Sequence, residues 1–514
     1  MGKPAVPDAA VARAHTSAIS YATIALAGLG GFIYGYAANV LTGTLAQPTF
    51  LAKMLMAPDG TSLPDATERT NGMVGGFFGG ALLGVIVQAP IANRFGRRAA
   101  NGVAALLLIF SSALQAGSTG IAMFLAGRTI SGFGAAMCFS NTPTYTAELA
   151  TPHNRGMLVG SQGVCVVGSY IVSALLGFAF YFVDADYAWR LNFIVLTGFS
   201  CIFLGSLFAL PESPRWLVEQ GRDDEARAIL ERLHRSKADP DATVAKAEFV
   251  QIRAQIQAER SLPSSYWYIL TTPSMLKRAV CTLLVWTMGQ STGITVIANL
   301  IATLMGNLGF GPVMQLGLGV AWDACVLVGC FINVFLMDRV GRVKLLVVGG
   351  FGCVALLIIE GVLQKYYLAT TYAPGLNAAV AMYFIFGVWF TSTIECTGYV
   401  YGAEIWPTHL RSKGATLNYI GFFGPALAYT YPATTAFTTI GWEYYMVFVA
   451  ITVPFTVAIW FMLPETTGLT LEEIGPLFGD DVQVKFEDAL HADLGDSERT
   501  QSIEERPGSK GSKA

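Results

Sequence analysis

Two short stretches set an acid and a base at the same spacing. ELATPHNRG puts Glu148 seven residues before Arg155, and EIWPTHLRSKG puts Glu404 seven before Arg411. Seven residues is two helical turns, so each pair can share a helix face or straddle a helix end. Arginine's planar fork binds a carboxylate through two parallel hydrogen bonds and stays charged. Such pairs can join helices and release when the helices separate. Three further ionisable residues stand alone inside apolar runs: Arg128 in GRTISGFG, Asp323 in GVAWDACVLVG and Glu395 in FTSTIECTGYVYG. A charge in such a place is costly and marks a solute or ion pathway. Either acid could pair with Arg128 or carry a proton. Glu360, near the end of its run, reads as interfacial.

No other set of residues suggests catalysis. The five histidines are scattered without an HExxH, and His153 and His409 read as ordinary loop residues. The eight cysteines lie in apolar runs with no CxxC and read as small buried hydrophobes. Walker A and dinucleotide fingerprints are missing, and the one G-x-S-x-G string, GQSTG at 289–293, lies inside an apolar run. The sequence therefore predicts no enzyme, no metal site and no cofactor.

The elements that must position these charges are membrane helices. The chain is 53% hydrophobic and only 13% charged, about half the charged share of a soluble domain. A net charge of -3 is too small to argue for a nucleic-acid partner, and none is expected. The first 16 residues lack the short apolar core and cleavage site of a signal peptide. Twelve apolar runs are long enough to span a bilayer: 18–42, 71–92, 100–118, 120–145, 157–182, 190–210, 278–304, 313–336, 344–364, 376–402, 414–436 and 442–463. Helices are the expected form, because hydrocarbon cannot satisfy open backbone groups.

Basic residues orient the spans. Arg94, Arg97 and Arg98 follow span 2, Arg155 follows span 4, and Arg339, Arg342 and Lys344 follow span 8. The segment between spans 6 and 7 carries eleven Lys/Arg from Arg215 to Arg278, whereas the opposite loops hold only Lys53, Arg69, Arg190 and Lys365. The even-to-odd loops and both termini are therefore expected in the cytoplasm. In GRDDEARAILERLHR, Ala226, Ile229, Leu230 and Leu233 recur at helical spacing, so residues 211–277 read as a cytoplasmic helical linker. Residues 1–17 form an N-terminal segment, and the tail 464–514 reads as mostly disordered.

Three signals occur twice: NRFGRR at 93 and DRVGR at 338, ELATPHNRG at 148 and EIWPTHLRSKG at 404, PESPRWL at 211 and PETTGL at 464. Their offsets of 245, 256 and 253 residues are nearly constant. This means an internal duplication, with six spans in 18–210 and six in 278–463. Two parallel six-helix halves around an axis along the membrane normal form the major facilitator architecture, with solute bound near the midplane between them. The paired charges then read as a latch at the cytoplasmic edge, pairing between opposite halves. It comprises Arg94, Arg97, Arg98, Glu148, Arg155, Glu212, Arg215, Asp338, Arg339, Arg342, Glu404, Arg411 and Glu465.

The motifs around these charges resemble a known family. Pro143, Tyr145, Glu148, Pro152, Arg155 and Gly156, with PESPRWL, DRVGR and PETTGLTLEEI, are similar to the sugar porters of the major facilitator superfamily, closest in flavour to fungal members. The resemblance covers roughly 20–475 and implies alternating-access transport of sugars, polyols or related small solutes, in some members coupled to protons. Proton-coupled members resemble GYDxGV in span 1, with the acid beside the span-4 arginine. Here the stretch reads GYAANV, so Ala37 replaces the acid while Arg128 remains. Passive transport is the simplest expectation. Coupling relocated to Glu395 or Asp323 is the rival.

The sugar site is altered too. Gln162 and Gln290 match family glutamines, but GQSTGITVIANL replaces a pattern close to QQxSGxNxxxYY, bringing Gly289, Thr295, Asn299 and Leu300. Tyr399 stands where the family often has a tryptophan, and Phe422–Phe423 where it has asparagine–tryptophan. Each hydroxyl left unpaired in a dry site costs about 1–3 kcal/mol. Gln162, Gln290, Thr295, Asn299, Glu395 and Tyr399 are the expected solute contacts. A non-sugar metabolite, including an exported natural product, and a non-transporting nutrient sensor are the alternatives. A monomer in the plasma membrane is expected, with the solute, the bilayer and protons as partners.

Overall fold

The structure, a computed structural model, describes residues 18–149, 155–234, 262–368, 372–467 and 474–479, with residue 370 and isolated positions between 242 and 257. The expected tail after 479 and the N-terminal segment 1–17 lie outside the described residues, as does His153.

Twelve long helices follow the twelve apolar runs. The first half comprises α1 (Ala18–Thr44), α2 (Ala66–Phe95), α3 (Arg97–Ala116), α4 (Ile121–Leu149), α5 (Arg155–Tyr181) and α6 (Ala188–Ala209). The second comprises α7 (Pro273–Asn307), α8 (Pro312–Val340), α9 (Arg342–Tyr367), α10 (Ala373–Glu404), α11 (Arg411–Thr430) and α12 (Glu443–Met462). Eleven meet the length and hydropathy of a membrane span among the described residues. The exception is α11, which opens with Arg411 and Lys413. Large apolar side chains such as Phe208, Phe335, Trp460 and Phe461 are exposed on the outer surface. Only a lipid surround makes such an exterior stable. Helix α2 begins five residues before its apolar run, at Ala66, and α4 continues to Leu149, because a helix can carry polar residues once it leaves hydrocarbon.

Within each half the helices approach closely through small residues. Helix α2 lies against α4, α1 against α5, α7 against α11 and α9 against α12. The halves meet along two seams, α5 with α8 and α2 with α11. At the end of the bundle away from the arginine motifs, Asn71 Nδ2 donates to Thr435 Oγ1 at 2.6 Å. Thr42 Oγ1 donates to the Asn299 carbonyl at 3.3 Å. Both bonds join opposite halves. Toward the charged end, a polar cavity of about 20 Å3 lies between Gln88, Asn141 and Thr144 of one half and Ser412 and Thr416 of the other. It has room for about one water.

Two membrane helices are interrupted. Helix α7 breaks at Thr292–Gly293, with Gly293 left-handed at φ +77°, into Pro273–Ser291 and Ile294–Asn307. Helix α10 contains a π-helical turn at Thr391–Glu395 between α-helical Ala373–Phe390 and Cys396–Glu404. A π turn inserts one residue, which re-phases everything after it by about 100° around the axis.

Among the described residues three short helices run between the halves, Pro214–Glu219, Asp223–His234 and Tyr266–Thr271. Ser213 caps the first, its hydroxyl accepting from the Trp216 amide at 3.2 Å. Trp216, Leu217 and Val218 form a small core with Ala226, and Leu230 and Leu233 are buried as well. Part of the expected disordered tail is folded: Gly475–Phe478 forms a 3-10 turn, and Phe478 is buried with the Arg278 guanidinium 4.9 Å from its ring. All eight cysteines are thiols, but Cys201 is exposed rather than buried.

Candidate functional site

The charged end carries the same construction twice. In the first half the chain turns sharply from α2 into α3 at Gly96, whose φ of +96° disfavours any side chain. The Glu212 carboxylate fills the space beside it and accepts from the amides of Arg97 at 2.9 Å and Arg98 at 3.2 Å. A carboxylate on the free amides of a helix N-terminus is favourable. Arg97 turns back to Glu148 through two bonds, Nε–Oε2 at 2.9 Å and Nη2–Oε1 at 3.0 Å. In the second half Gly341, at φ +107°, makes the same turn. Glu465 accepts from the amides of Arg342 at 2.8 Å and Val343 at 3.1 Å. Arg342 reaches Glu404 at 3.3 Å, and Thr466 donates to the other Glu404 oxygen at 3.2 Å. The Tyr145 and Tyr401 hydroxyls close each cluster on the Pro211 and Pro464 carbonyls.

These ion pairs differ from the expected latch in one respect: each lies inside its own half. The reason is geometric. Glu148 and Glu404 end α4 and α10, next to the helix starts of their own halves. Arg94 is exposed beside Phe95, and Arg98 sits over Phe208. Arg215 lies in the first linker helix, Arg339 is exposed near the end of α8, and Arg411 opens α11. The side chains of Arg155, Gln162 and Asp338 lie outside the described residues.

The two anchoring carboxylates differ electrostatically. Burial pushes the Glu212 carboxyl above its ordinary value, against the pull of the Ser213, Arg98 and Arg97 amides. Burial also raises Glu465, but bonds from Thr467, Arg342 and Val343 outweigh it and hold the carboxyl below its ordinary value. A lowered folded pKa contributes stability above the unfolded value that is lost as pH falls through the folded value. A raised one has the opposite sign, its contribution weakening as pH rises. The drop in melting temperature between pH 7 and pH 4 should therefore shrink in Glu465→Gln and not in Glu212→Gln. Equal drops in both variants would refute the difference.

Midway along the bundle, Arg128 is 1% exposed. Its Nη1 donates to the Ala37 carbonyl at 3.0 Å and its Nε to the Met73 carbonyl at 3.3 Å, and the guanidinium lies 4.6 Å from the Phe77 ring. Among the described residues no ion pair joins it to Asp323 or Glu395. The expectation that either acid pairs with Arg128 is therefore not met, because both sit on the other half. Asp323 instead accepts from Asn39 Nδ2 at 2.9 Å, and the same amide donates to the Tyr170 carbonyl at 3.0 Å. Asn39 thus ties α1 to α5 and, across the halves, to α8.

The break in α7 folds two expected solute contacts onto each other. Thr295 Oγ1 donates to Gln290 Oε1, and Asn299 Nδ2 donates to the Thr295 carbonyl at 2.8 Å. Glu395 closes the π turn of α10, half-buried, with no hydrogen bond or ion pair among the described residues. One turn on, Tyr399 packs at 4.4 Å from Trp286 and 5.8 Å from Phe139. Phe139 stacks on Tyr34 at 4.0 Å and meets Tyr419 at 5.0 Å, while Phe422 lies 4.8 Å from Trp286. Rings from both halves thus fill the space beside Glu395. The acid expected at the interface, Glu360, is instead buried inside the second half. Gln364 donates to it at 2.7 Å, and Gln364 also reaches Tyr383 and Tyr445.

A family model described as "Sugar (and other) transporter" matches residues 23–478. This chain belongs to that family. It is a membrane transporter, not an enzyme. It is similar to the MFS-type transporter criB of Aspergillus cristatus, at 30% identity over 88% of this chain and 92% of the relative. The high-affinity glucose transporter of Kluyveromyces lactis is 25% identical over 89% and 84% of the two chains. Among solved structures, the proton:xylose symporter XylE bound to 6-bromo-6-deoxy-D-glucose superposes with a TM-score of 0.74 at 22% identity, covering 90% of this chain and 100% of that one. A partially occluded inward-open form of XylE from E. coli gives 0.71 at 19% identity, covering 87% and 100%. These likenesses establish the twelve-helix major facilitator fold.

Sequence reading of this sugar transporter relative missed Asn39, Trp286, Phe139, Tyr34 and Tyr170. Asn39 had a signal, since a lone amide in an apolar span seeks an interhelical partner. The aromatic residues had none, because an inward-facing and a lipid-facing ring look alike in one sequence.

Proposed function

We propose that this protein carries a sugar, polyol or related small solute across a bilayer by alternating access, without proton coupling. The supporting observation is Arg128. In the GYAANV stretch no acid stands opposite it, and its guanidinium is held by the Ala37 and Met73 carbonyls. A backbone carbonyl cannot bind and release a proton at physiological pH, so no protonation step at this place can drive the carrier. The two charged clusters support a reading in which each half moves as a rigid body. Glu212 and Glu465 pin the starts of α3 and α9, and Arg97–Glu148 and Arg342–Glu404 brace them. The Arg94, Arg98, Arg215, Arg339 and Arg411 side chains complete the charged rim at this end. Lys/Arg asymmetry supports cytoplasmic termini, and a monomer in the plasma membrane fits the same reading.

Labelled hexoses, pentoses, disaccharides and polyols offered to cells lacking their own carriers give the test. Uptake should be saturable and unchanged by a protonophore at constant expression. Uptake abolished by the protonophore would overturn passive transport and direct attention to Glu395 and Asp323.

A second reading, a less polar metabolite, is favoured by one observation. The Gln290 carbonyl and Thr295 hydroxyl satisfy each other. A polyhydroxylated solute can take no donor from Thr295 without breaking that bond, and each hydroxyl left unpaired costs about 1–3 kcal/mol.

A further inference from the structure

We propose that the midplane site of this carrier takes a solute bearing a protonated nitrogen, with Glu395 as its counter-charge and the surrounding aromatic rings as its seat. The inference rests on the transporter reading and narrows its substrate class.

Glu395 is a half-buried carboxylate between two membrane halves, without a hydrogen bond or ion pair among the described residues. An ionised carboxylate withdrawn from water is costly unless it finds a partner. The other midplane acid has one, since Asn39 donates to Asp323. Arg128, the buried cation of the first half, donates from Nε and Nη1 to the Met73 and Ala37 carbonyls and lies against the face of Phe77. Its Nη2 has no partner, and no ion pair joins Arg128 to Glu395, among the described residues. The remaining basic residues of the spans lie at the helix ends. A positive group from the solute is therefore the missing complement.

The neighbourhood suits a cation better than a bare proton. Glu395 is within electrostatic reach of Tyr34, Tyr170 and Tyr399. Tyr399 leads into the cluster of Trp286, Phe139 and Phe422. Ring faces attract an organic cation, most strongly when both are shielded from water. A proton on the carboxyl would use none of this. Trp286, itself fully buried, backs this cluster with its ring. Thr295 spends its only donor on Gln290 Oε1, which leaves the Gln290 amide NH2 to contact polar groups of the solute beside the charge. The π turn is the local device, because its extra residue sets the phase at which Glu395 leaves the helix.

A protonated nitrogen can belong to an amino sugar or to an alkylamine borne on a planar aromatic ring. Calorimetric binding to the full-length protein in lipid nanodiscs would use two matched pairs, glucosamine with N-acetylglucosamine and tryptamine with N-acetyltryptamine. Acetylation removes the charge in each. The amine should bind at least about tenfold tighter than its acetylated partner in one pair or both, as a charged hydrogen bond implies. The pair that discriminates identifies the solute body. In Glu395→Gln the ratio should fall toward one, whereas Glu395→Asp, which keeps the charge and guards against a folding defect, should retain a preference. Ratios near one in both pairs would overturn the proposal. So would a ratio unchanged in Glu395→Gln, which would make size the cause, or failure of both amines to bind the folded protein. Saturable uptake of neutral sugars alongside any of these leaves transport standing. Absence of flux for every solute, amines included, would remove the transport reading itself.

Discussion

Replacing Gly132 with alanine should leave little or no correctly assembled protein. Gly132 lies on α4 where α4 crosses α2, and a Cβ added there would sit 1.9 Å from the Phe77 carbonyl oxygen. That atom is backbone, so no side chain can rotate away. The crossing is built from small residues on both sides. Gly76, Gly80 and Gly84 recur every fourth residue on α2, and a Cβ on Gly80 would lie 2.0 Å from the Thr129 carbonyl. Spacing of this kind lets membrane helices approach to backbone contact. Forcing them apart should exceed the roughly 1–3 kcal/mol typical of overpacking, because two helices move rather than one side chain. The damage should extend to the midplane, since Phe77 carries the Arg128 guanidinium on its ring. The measurement is recovery of monodisperse protein in detergent, its melting temperature and solute uptake. Gly205→Ala is the control, because a Cβ there meets open space. It should melt at or above the parent temperature, as an alanine in a helix interior is favoured over glycine. A Gly132→Ala protein that assembles and melts like the control would disprove the tight crossing.

The second large effect is an inequality between the two charged clusters. Glu148→Ala should destabilise the protein far more than Glu404→Ala. The Arg97 side chain is 6% exposed and that of Glu148 11%, and the pair is held by two bonds. Removing one partner of a buried pair leaves an uncompensated charge and costs about 3–5 kcal/mol. Arg342 and Glu404 are 11% and 27% exposed and meet at 3.3 Å. Water can reach Glu404, so its loss should cost less, about 1–3 kcal/mol for a hydrogen bond to a charged group. Arg97→Lys should fall between parent and Glu148→Ala, since it keeps the charge and loses the fork. Thermal unfolding of the four proteins in one detergent gives the ranking. Equal losses for Glu148→Ala and Glu404→Ala would mean that burial does not set the strength of these pairs.

Much of the architecture is legible in the chain itself. Hydropathy gives the twelve spans because every backbone group in hydrocarbon must bond within its own helix. Spacing gives the duplication because each half repeats the same turn, brace and proline motif. PESPRWL and PETTGL could be matched before their glutamates were known to sit on the helix starts at Arg97 and Arg342. Legibility stops where partners are chosen. Glu148 and Arg155 are seven residues apart and look like a pair, yet Glu148 bonds Arg97, 51 residues away. Linear spacing reports which residues share a helix face. It does not report which neighbouring helix that face meets.

The midplane shows the same division. Ala37 in place of an acid, and an isolated Glu395, are facts of sequence. That Arg128 donates to backbone carbonyls, that Asn39 crosses to Asp323, and that Thr295 bonds Gln290 were decided by folding. A side chain in a membrane helix takes the nearest competent partner, and distance is set by helix crossings and interruptions. The Gly293 break and the π turn before Cys396 carry no periodic signal of their own. Composition and repeat therefore determined that this is a duplicated bundle of membrane helices, since hydrocarbon acts on every residue in the same way. Which of its few polar groups remain available to a solute was settled only by tertiary packing, since that depends on contacts between residues far apart in the chain.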